Sequence, residues 1–192
     1  MSNSYDSYYQ QKDLFGMPYP ELLAFFSQFE GKGKILDLGC GQGRDSIPLA
    51  RMGFEVFAVD SSKVGIDQIK EVVKEEGLKL RAEVADIYAF GEIDFFDFLL
   101  LDSMFHFTKK DKEKECQFLE RLMKGMKAGA IICICIQITA KKWKVLQELV
   151  SRNSFMRMIH QEDFLYSFHD QSSGHKSTSD YRMICLKKHP AA

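Results

Sequence analysis

The chain alternates short apolar runs with stretches in which apolar residues recur every three or four positions. Runs of this length bounded by turn residues are typical of buried strands, and the spaced stretches are typical of amphipathic helices. The runs predict five strands, at 35–38, 54–59, 78–84, 94–101 and 130–138. Because helical stretches separate them, the pattern predicts a parallel sheet with helices on both faces.

Boundary residues refine the helices, and the last forty residues break the alternation. A helix is predicted from Pro20 to the glycines at 31 and 33, and Thr139 is predicted to cap another. Residues 155–169 and 181–187 resemble two strands joined by a polar loop at 171–180. They predict a hairpin.

Length and charge narrow the class of protein. A chain of 192 residues with 45% hydrophobic and 28% charged residues fits one globular domain. A net charge of −1 offers no basic field, so we expect neither a nucleic-acid nor a membrane partner. No signal peptide or membrane span is visible, and five cysteines, an odd number mostly in apolar runs, favour a reduced, cytoplasmic protein.

The most informative stretch runs from 34 to 60 and reads as strand, glycine turn, helix, strand and acid. Gly39, Gly41 and Gly43 remove three side chains within five residues, which allows a sharp turn and a close approach by a ligand. Asp60 ends the second strand, where a carboxylate can accept hydrogen bonds from two ribose hydroxyls. The stretch therefore predicts a nucleotide-like site at the carboxyl ends of the strands.

Two ligand classes compete for this turn. A dinucleotide fingerprint needs G-x-G-x-x-G, but Arg44 occupies the last glycine position. Asp37, at the end of the first strand, is awkward beside a pyrophosphate and suits a ligand with a cationic amine. A nicotinamide-dependent oxidoreductase is therefore disfavoured.

The segments L-D-L-G-C-G-Q-G-R and A-V-D resemble motifs I and II of class I S-adenosylmethionine-dependent methyltransferases. G-C-G-Q-G-R is most similar to the small tellurite-resistance and related methyltransferase-domain members. The resemblance extends over nearly the whole chain and is strongest from 35 to 60. It implies an α/β fold: a Rossmann-like, doubly wound, mainly parallel seven-stranded sheet with a C-terminal antiparallel hairpin, in three α/β/α layers. It also implies one domain, 1–192, with N-terminal lid or cap helices in 1–30 and a catalytic core in 31–192.

The resemblance assigns the cofactor contacts. Asp37 would orient the methionine amine, and Asp60, followed by Ser61, would hold the ribose. Asp86 would bind the adenine amino group, unless it is a plain turn acid. Arg44 would pair with the methionine carboxylate or form a structural ion pair with Asp45 or a distant acid, and the residues leave this open. The remaining expected contacts are Gly39, Cys40, Gly41, Gly43, the Ile87 N–H, the Leu101 carbonyl and Tyr9, although Cys40 is expected to pack.

The segment L-L-L-D-S-M-F-H-F follows the fourth strand, and in the family this place faces the methyl group. His106 or Asp102 is the candidate substrate contact or general base. The alternative for His106 is a buried core histidine bonded to a main-chain carbonyl.

Aromatic residues crowd the first 19 positions. They predict either a cap on the sheet edge or a lid over the ligand. The resemblance of Y-Y-Q-Q-K-D-L-F-G-M-P to a family segment that lies across the cofactor supports the lid and brings in Tyr9.

Metal binding is not expected. Cys133 and Cys135 alternate with isoleucines, so both face the same side of one strand as small buried residues. A zinc site from His160, His169 and His175 in the final hairpin is a remote alternative.

The predicted function is methyl transfer from S-adenosylmethionine to a small-molecule acceptor by in-line displacement, in a monomer or homodimer. No N-P-P-Y segment is present to indicate an amine acceptor. By exclusion and analogy, the acceptor is a small metabolite or a metalloid oxyanion. The alternative is a protein that binds S-adenosylmethionine without catalysis, as a sensor or partner subunit.

Overall fold

A computed structural model describes residues 4–169, 174 and 176–190. Two short helices, α1 (Ser4–Tyr8) and α2 (Pro20–Ser27), precede the sheet. The strands within the described residues are β1 (Lys34–Leu38), β2 (Glu55–Asp60), β3 (Leu80–Val84), β4 (Phe98–Asp102), β5 (Ile131–Gln137), β6 (Met156–His169) and β7 (Lys176–Lys188). The helices between them are α3 (Ser46–Arg51), α4 (Lys63–Glu76), α5 (Lys112–Gly125) and α6 (Ala140–Arg152).

The strands form one sheet in the order β3-β2-β1-β4-β5-β7-β6. The first five strands in chain order pair in parallel, and β7 runs antiparallel to both β5 and β6. The doubly wound sheet with its C-terminal hairpin is therefore confirmed. The order reverses at β1, so the crevice between β1 and β4 is the topological switch point where α/β sheets bind ligands.

Two apolar clusters cover the two faces of the sheet and make three layers. One contains the inward residues of α5 and α6, and the other contains those of α2, α3 and α4. Cys133 and Cys135 share the second face with Cys185, as the alternation in β5 predicted. The register places Asp102 beside Cys135, so the β4 carboxylate emerges on this same face.

Several boundaries differ from the prediction for local reasons. Helix α2 ends at Ser27, before the glycines. Strand β4 begins at Phe98, because the Asp97 carboxylate accepts the Lys34 N–H at 2.8 Å and 94–97 form a turn into the strand. Strand β7 begins at Lys176, inside the predicted loop, of which residues 171–173 and 175 lie outside the described residues. Thr139 caps α6 by accepting the Lys142 N–H at 3.2 Å, as predicted.

Candidate active site

The glycine turn between β1 and α3 is built for close contact. Gly39, Gly41 and Gly43 have φ of +86°, +54° and +82°, a region that L side chains rarely adopt. A Cβ at Gly39 would collide with the Met104 sulfur, and one at Gly41 would lie 2.7 Å from the Tyr9 hydroxyl. The turn thus requires glycine for its backbone and for its neighbours. Cys40 packs in the core with 8% of its surface exposed.

Asp60 points at this turn from the end of β2. One carboxylate oxygen accepts the Gly41 N–H at 3.0 Å, and the other accepts the Ser62 N–H at 2.7 Å. Burial raises the pKa of Asp60, while the N–H groups of Ser62, Gly41 and Ser61 oppose that rise. The carboxylate is therefore fixed beside the turn and can accept further hydrogen bonds.

Asp37 lies at the start of the turn and is buried, with 2% exposure. The Ser46 hydroxyl donates a hydrogen bond to its carboxylate. Burial, with repulsion from Asp45 as a second cause, raises the pKa of Asp37 to about 7. At neutral pH this acid is therefore poised between its two forms, and a nearby cation would favour the charged one.

Arg44 is engaged by protein groups. Its guanidinium donates to both oxygens of Asp45, at 3.3 and 3.0 Å, and pairs with Asp102 at the end of β4. It also lies over the rings of Tyr19 and Tyr166, 4.3 and 5.9 Å from their centroids. Burial would lower the pKa of Arg44, but the Asp45 carboxylate and the tyrosines reverse that effect and raise it. The ion pair with Asp45, and with Asp102 as the distant acid, is the arrangement that the structure contains.

The N-terminal segment lies over the turn. The Tyr9 side chain is buried, with 5% exposure. The Gln68 side-chain amide donates to the Tyr9 carbonyl at 2.8 Å, and Gln42, inside the glycine motif, donates to the Gln11 carbonyl at 2.8 Å. The Asp6 carboxylate accepts from the Ser62 hydroxyl at 2.6 Å. Polar side chains of the core therefore tie down 6–11 above Asp60.

Asp86 follows β3, at the same end of the sheet. Its side chain is exposed and accepts the Tyr88 N–H at 2.9 Å, which is the geometry of a turn acid. Ile87 is buried, with 7% exposure. The hydrogen bond of the Asp86 carboxylate goes to its own loop and not to the glycine turn, so its adenine role stays a prediction.

The acceptor edge, defined here as residues 102–107, leaves β4 beside the turn. The Ser103 hydroxyl donates to the Asp102 carboxylate at 3.1 Å, and its oxygen lies within hydrogen-bonding distance, 3.3 Å, of the Tyr181 hydroxyl. Leu101 is buried and pairs in register with Ile134. The His106 side chain is exposed, so the core-histidine alternative is wrong. That alternative arose because the flanking residues are apolar, but it is Phe105 and Phe107 that turn inward.

Aromatic side chains from distant segments wall this edge. Their ring centroids are 4.6 to 6.0 Å apart, and the residues are Tyr19, Phe164, Tyr166 and Tyr181. Tyr19 belongs to the aromatic N-terminal stretch for which the sequence predicted a cap or a lid, whereas the three residues on β6 and β7 were missed. Only the closure of the sheet by β6 and β7 brings those three to the edge, so no local signal could have identified them.

Glu115 was also missed. It lies on α5 with 2% exposure, and its two carboxylate oxygens accept the N–H groups of His106 and Phe107 at 3.1 and 2.6 Å. Ser103 and Phe107 have φ of 56° and 46°, left-handed conformations that cost about 1–2 kcal/mol each in residues other than glycine. An acid in the buried stripe of an amphipathic helix was the available signal.

Two features are absent from the described residues. No group of three or more His, Cys, Asp or Glu side chains in that part of the chain could hold a metal ion. No helix within it has the length and apolar character that crossing a membrane requires. The remote zinc alternative involves His175 and the His169 side chain, which lie outside the described part of the chain.

Comparison with known proteins identifies relatives of this chain. A family model described as tellurite resistance protein TehB matches residues 4–144. Over 82 residues the chain is 35% identical to hemagglutinin 1 of Eikenella corrodens, which covers 43% of this chain and 27% of that protein. Over 79 residues it is 33% identical to the probable S-adenosyl-L-methionine-dependent methyltransferase TehB of Haemophilus influenzae, which covers 41% of this chain and 28% of that protein. These matches span less than a third of either relative.

A solved structure agrees with the family at the level of the fold. The crystal structure of TehB from Haemophilus influenzae aligns with a TM-score of 0.74 at 18% identity, over 96% of this chain and 67% of that one. The family model covers more than half of the chain and begins in α1, so it includes the N-terminal segment, the glycine turn and the acceptor edge. The chain belongs to the TehB family and has the fold of class I S-adenosylmethionine-dependent methyltransferases.

Proposed function

We propose that this protein transfers a methyl group from S-adenosylmethionine to a small-molecule acceptor. The observation that carries the proposal is the Asp60 carboxylate, held against the glycine turn by the Gly41 and Ser62 N–H groups. Two fixed oxygens on the strand next to β1 suit a ribose diol. The glycines carry no side chains of their own, so a ligand that shifts the Met104 and Tyr9 side chains can approach the main chain.

Asp37 completes the donor end of the site. The methyl donor carries an ammonium group and a sulfonium, and a buried acid with a pKa of about 7 gains a counter-charge when such a cation binds. Tyr9 and the polar contacts of 6–11 would exclude water from above. The assignments of Ser61, Asp86, Ile87 and the Leu101 carbonyl follow the family pattern and belong to the same proposal.

Chemistry at the acceptor edge requires alignment more than acid–base power. The nucleophile's lone pair forms the new bond to the methyl carbon, while the electrons of the breaking carbon–sulfur bond pass to the sulfonium sulfur. Positioning and exclusion of water then supply most of the acceleration. The Asp102 carboxylate is already paired with Arg44, whereas the His106 side chain is exposed. His106 is therefore the better candidate to contact the acceptor.

Charge and shape favour a small acceptor. The net charge of −1 offers no attraction to a polyanion such as RNA. The edge is walled by Tyr19, Tyr166 and Tyr181, which fit a compact ligand better than a folded macromolecule. The odd number of cysteines still favours a reducing compartment such as the cytoplasm.

Calorimetric titration with S-adenosylmethionine tests the donor site. We expect wild-type protein to bind, and Asp60→Ala to weaken binding by about 10- to 100-fold because two charge-assisted hydrogen bonds are lost. Asp67→Ala is the matched control, since Asp67 on α4 forms an exposed ion pair with Lys63. Well-folded wild-type protein that does not bind, or an Asp60→Ala variant that binds equally well, would overturn the proposal.

A non-catalytic S-adenosylmethionine sensor is the second candidate, and one observation favours it. Arg44 occupies Asp102, so no ionised carboxylate at the end of β4 is free to accept a proton. Formation of S-adenosylhomocysteine across a panel of small thiols, amines, phenols and metalloid oxyanions separates the two. Binding without product for every acceptor class would favour the sensor.

A further inference from the structure

The acceptor edge is held in place by Glu115, which lies on α5. Both oxygens of this buried carboxylate accept main-chain N–H groups, those of His106 and Phe107. Burying a carboxylate is costly unless its oxygens are satisfied, so an acid in the core stripe of α5 needs a specific role. Its partners are consecutive amides, which fixes the orientation of the peptide as well as its position.

The two hydrogen bonds to Glu115 fix which side chains of the edge face outward. Phe105 and Phe107 are buried, with 2% and 1% exposure, and their rings lie nearly parallel with centroids 5.5 Å apart. His106, between them, is directed to the surface. Ser103 and Phe107, both left-handed, bound the segment, so the fold sustains a conformation that the free segment would not prefer.

The same segment supplies a wall of the donor site. Met104 lies so close to Gly39 that a Cβ there would collide with its sulfur. Besides the ion pair of Asp102 with Arg44, Met104 is thus a residue through which the edge touches the glycine turn, two positions from His106. Displacing the edge would move the Met104 sulfur across the turn.

We propose that Glu115 is a positioning residue of the methyltransferase site, which acts through the main chain of the acceptor edge to hold Met104 against the glycine turn and His106 toward the acceptor. The inference rests on the proposed function. It adds a residue on α5, outside the glycine turn and the strand ends, to the machinery of the reaction. Glu115 touches neither donor nor acceptor.

The test compares Glu115→Gln with Glu113→Gln. The amide keeps the size of the side chain but presents an NH2 group to one of the two N–H donors, so one of them loses its partner. Glu113 is exposed on the same helical turn, and within the described part of the chain it accepts from the Gln117 amide at 3.3 Å. Hydrogen exchange of the ligand-free proteins should show faster exchange at the amides of His106 and Phe107 in Glu115→Gln alone.

A double-mutant cycle on S-adenosylmethionine affinity separates positioning from general stability. We expect Glu115→Gln to weaken binding about five- to tenfold in the wild-type background, and less than about twofold when Met104→Ala is already present. A purely structural role would give equal losses in both backgrounds, because instability does not depend on Met104. Glu113→Gln should leave the affinity unchanged.

The outcomes also distinguish this inference from the proposed function. If wild-type protein binds S-adenosylmethionine and Glu115→Gln binds as tightly, or if the losses in the two backgrounds are equal, the positioning role is overturned and the donor site stands. If wild-type protein does not bind at all, both are overturned.

Discussion

The glycine turn and the acceptor edge lie side by side at the same end of the sheet, but the chain builds them in different ways. The turn and its acid come from one continuous stretch, 37–62, in which backbone N–H groups contact Asp60 directly. The edge depends on Tyr19, on Tyr166 and Tyr181 of the C-terminal hairpin, far from Tyr19 along the chain, and on a carboxylate from α5. The contact between the turn and Asp60 is therefore local in sequence, whereas the acceptor edge, and the Tyr9 and Met104 side chains that cover the turn, depend on distant segments.

Arg44 joins the two regions. It belongs to the glycine motif by sequence, yet its guanidinium reaches Asp102 on β4 and the ring of Tyr166 on β6. A change at Arg44 should therefore damage both regions, whereas changes elsewhere should separate them. The predictions below are ordered by the size of that damage.

Arg44→Gln should have the largest effect. It leaves the buried carboxylate of Asp45 and the partly buried carboxylate of Asp102 without their cation. Removing one partner of a buried pair costs about 3–5 kcal/mol of unfolding free energy. Urea denaturation at pH 7 measures the loss. Arg51→Gln is the matched control, because it removes an exposed bidentate pair with Glu76 and should cost less than about 1 kcal/mol. Equal losses for the two variants would show that Arg44 does not connect the regions.

The fold could be predicted from the sequence because buried strands appear in it as continuous apolar runs. Runs such as 130–138 are apolar on both faces, and caps such as Thr139 hydrogen-bond to residues only three positions away. The boundaries were less accurate where a distant residue decides them. Strand β4 starts at Phe98 because the Asp97 side chain bonds to Lys34 on the neighbouring strand.

The site divides along the same line. Asp37, the glycines and Asp60 could be proposed from a motif, and the structure places them together, although their cofactor roles stay predictions. Glu115 bonds to a segment eight and nine residues before it, and Gly65 packs on a carbonyl of the turn. These contacts depend on how α4 and α5 dock on the sheet, and local sequence patterns do not show how helices dock.

Gly65→Ala should damage the donor region alone. Gly65 lies in the first turn of α4, where a Cβ would collide with the Gly41 carbonyl oxygen, so α4 or the turn must move. In an unhindered helix the change would stabilise the protein by up to about 1 kcal/mol. Here we expect a loss of about 1–3 kcal/mol from overpacking, together with weaker S-adenosylmethionine binding.

The control is Gly91→Ala, in a loop where nothing lies within 4 Å of the added Cβ. Its stability and affinity should match those of wild-type protein. A Gly65→Ala variant that gains stability, as helix propensity alone predicts, would contradict this expectation. It would mean that the turn and α4 accommodate the added Cβ without strain.

The pH dependence of donor binding should give the smallest effect and the finest test of the donor region. The pKa of Asp37 is raised to about 7, mainly by burial and then by Asp45, so the acid holds its proton in the folded protein at pH values where the unfolded chain has lost it. Its contribution to stability is therefore present below about pH 4 and is lost as the pH rises through about 7. Asp37→Asn should consequently unfold at higher urea concentrations than wild-type protein at pH 8.

Binding should show the opposite preference, because the donor's ammonium favours the ionised acid. Affinity for S-adenosylmethionine should rise by up to about tenfold per pH unit between pH 6 and 7, and fall again above about pH 8 as the α-amino group loses its proton. Burial also raises the pKa of Asp45 and of Asp60, so wild-type data alone cannot assign the acidic limb. Asp37→Asn assigns it: the variant should lose the acidic limb and keep the alkaline one, as measured by calorimetry across this range. If the acidic limb survives the substitution, the proton belongs to Asp45 or Asp60, and Asp37 is a structural acid that the Ser46 hydroxyl satisfies.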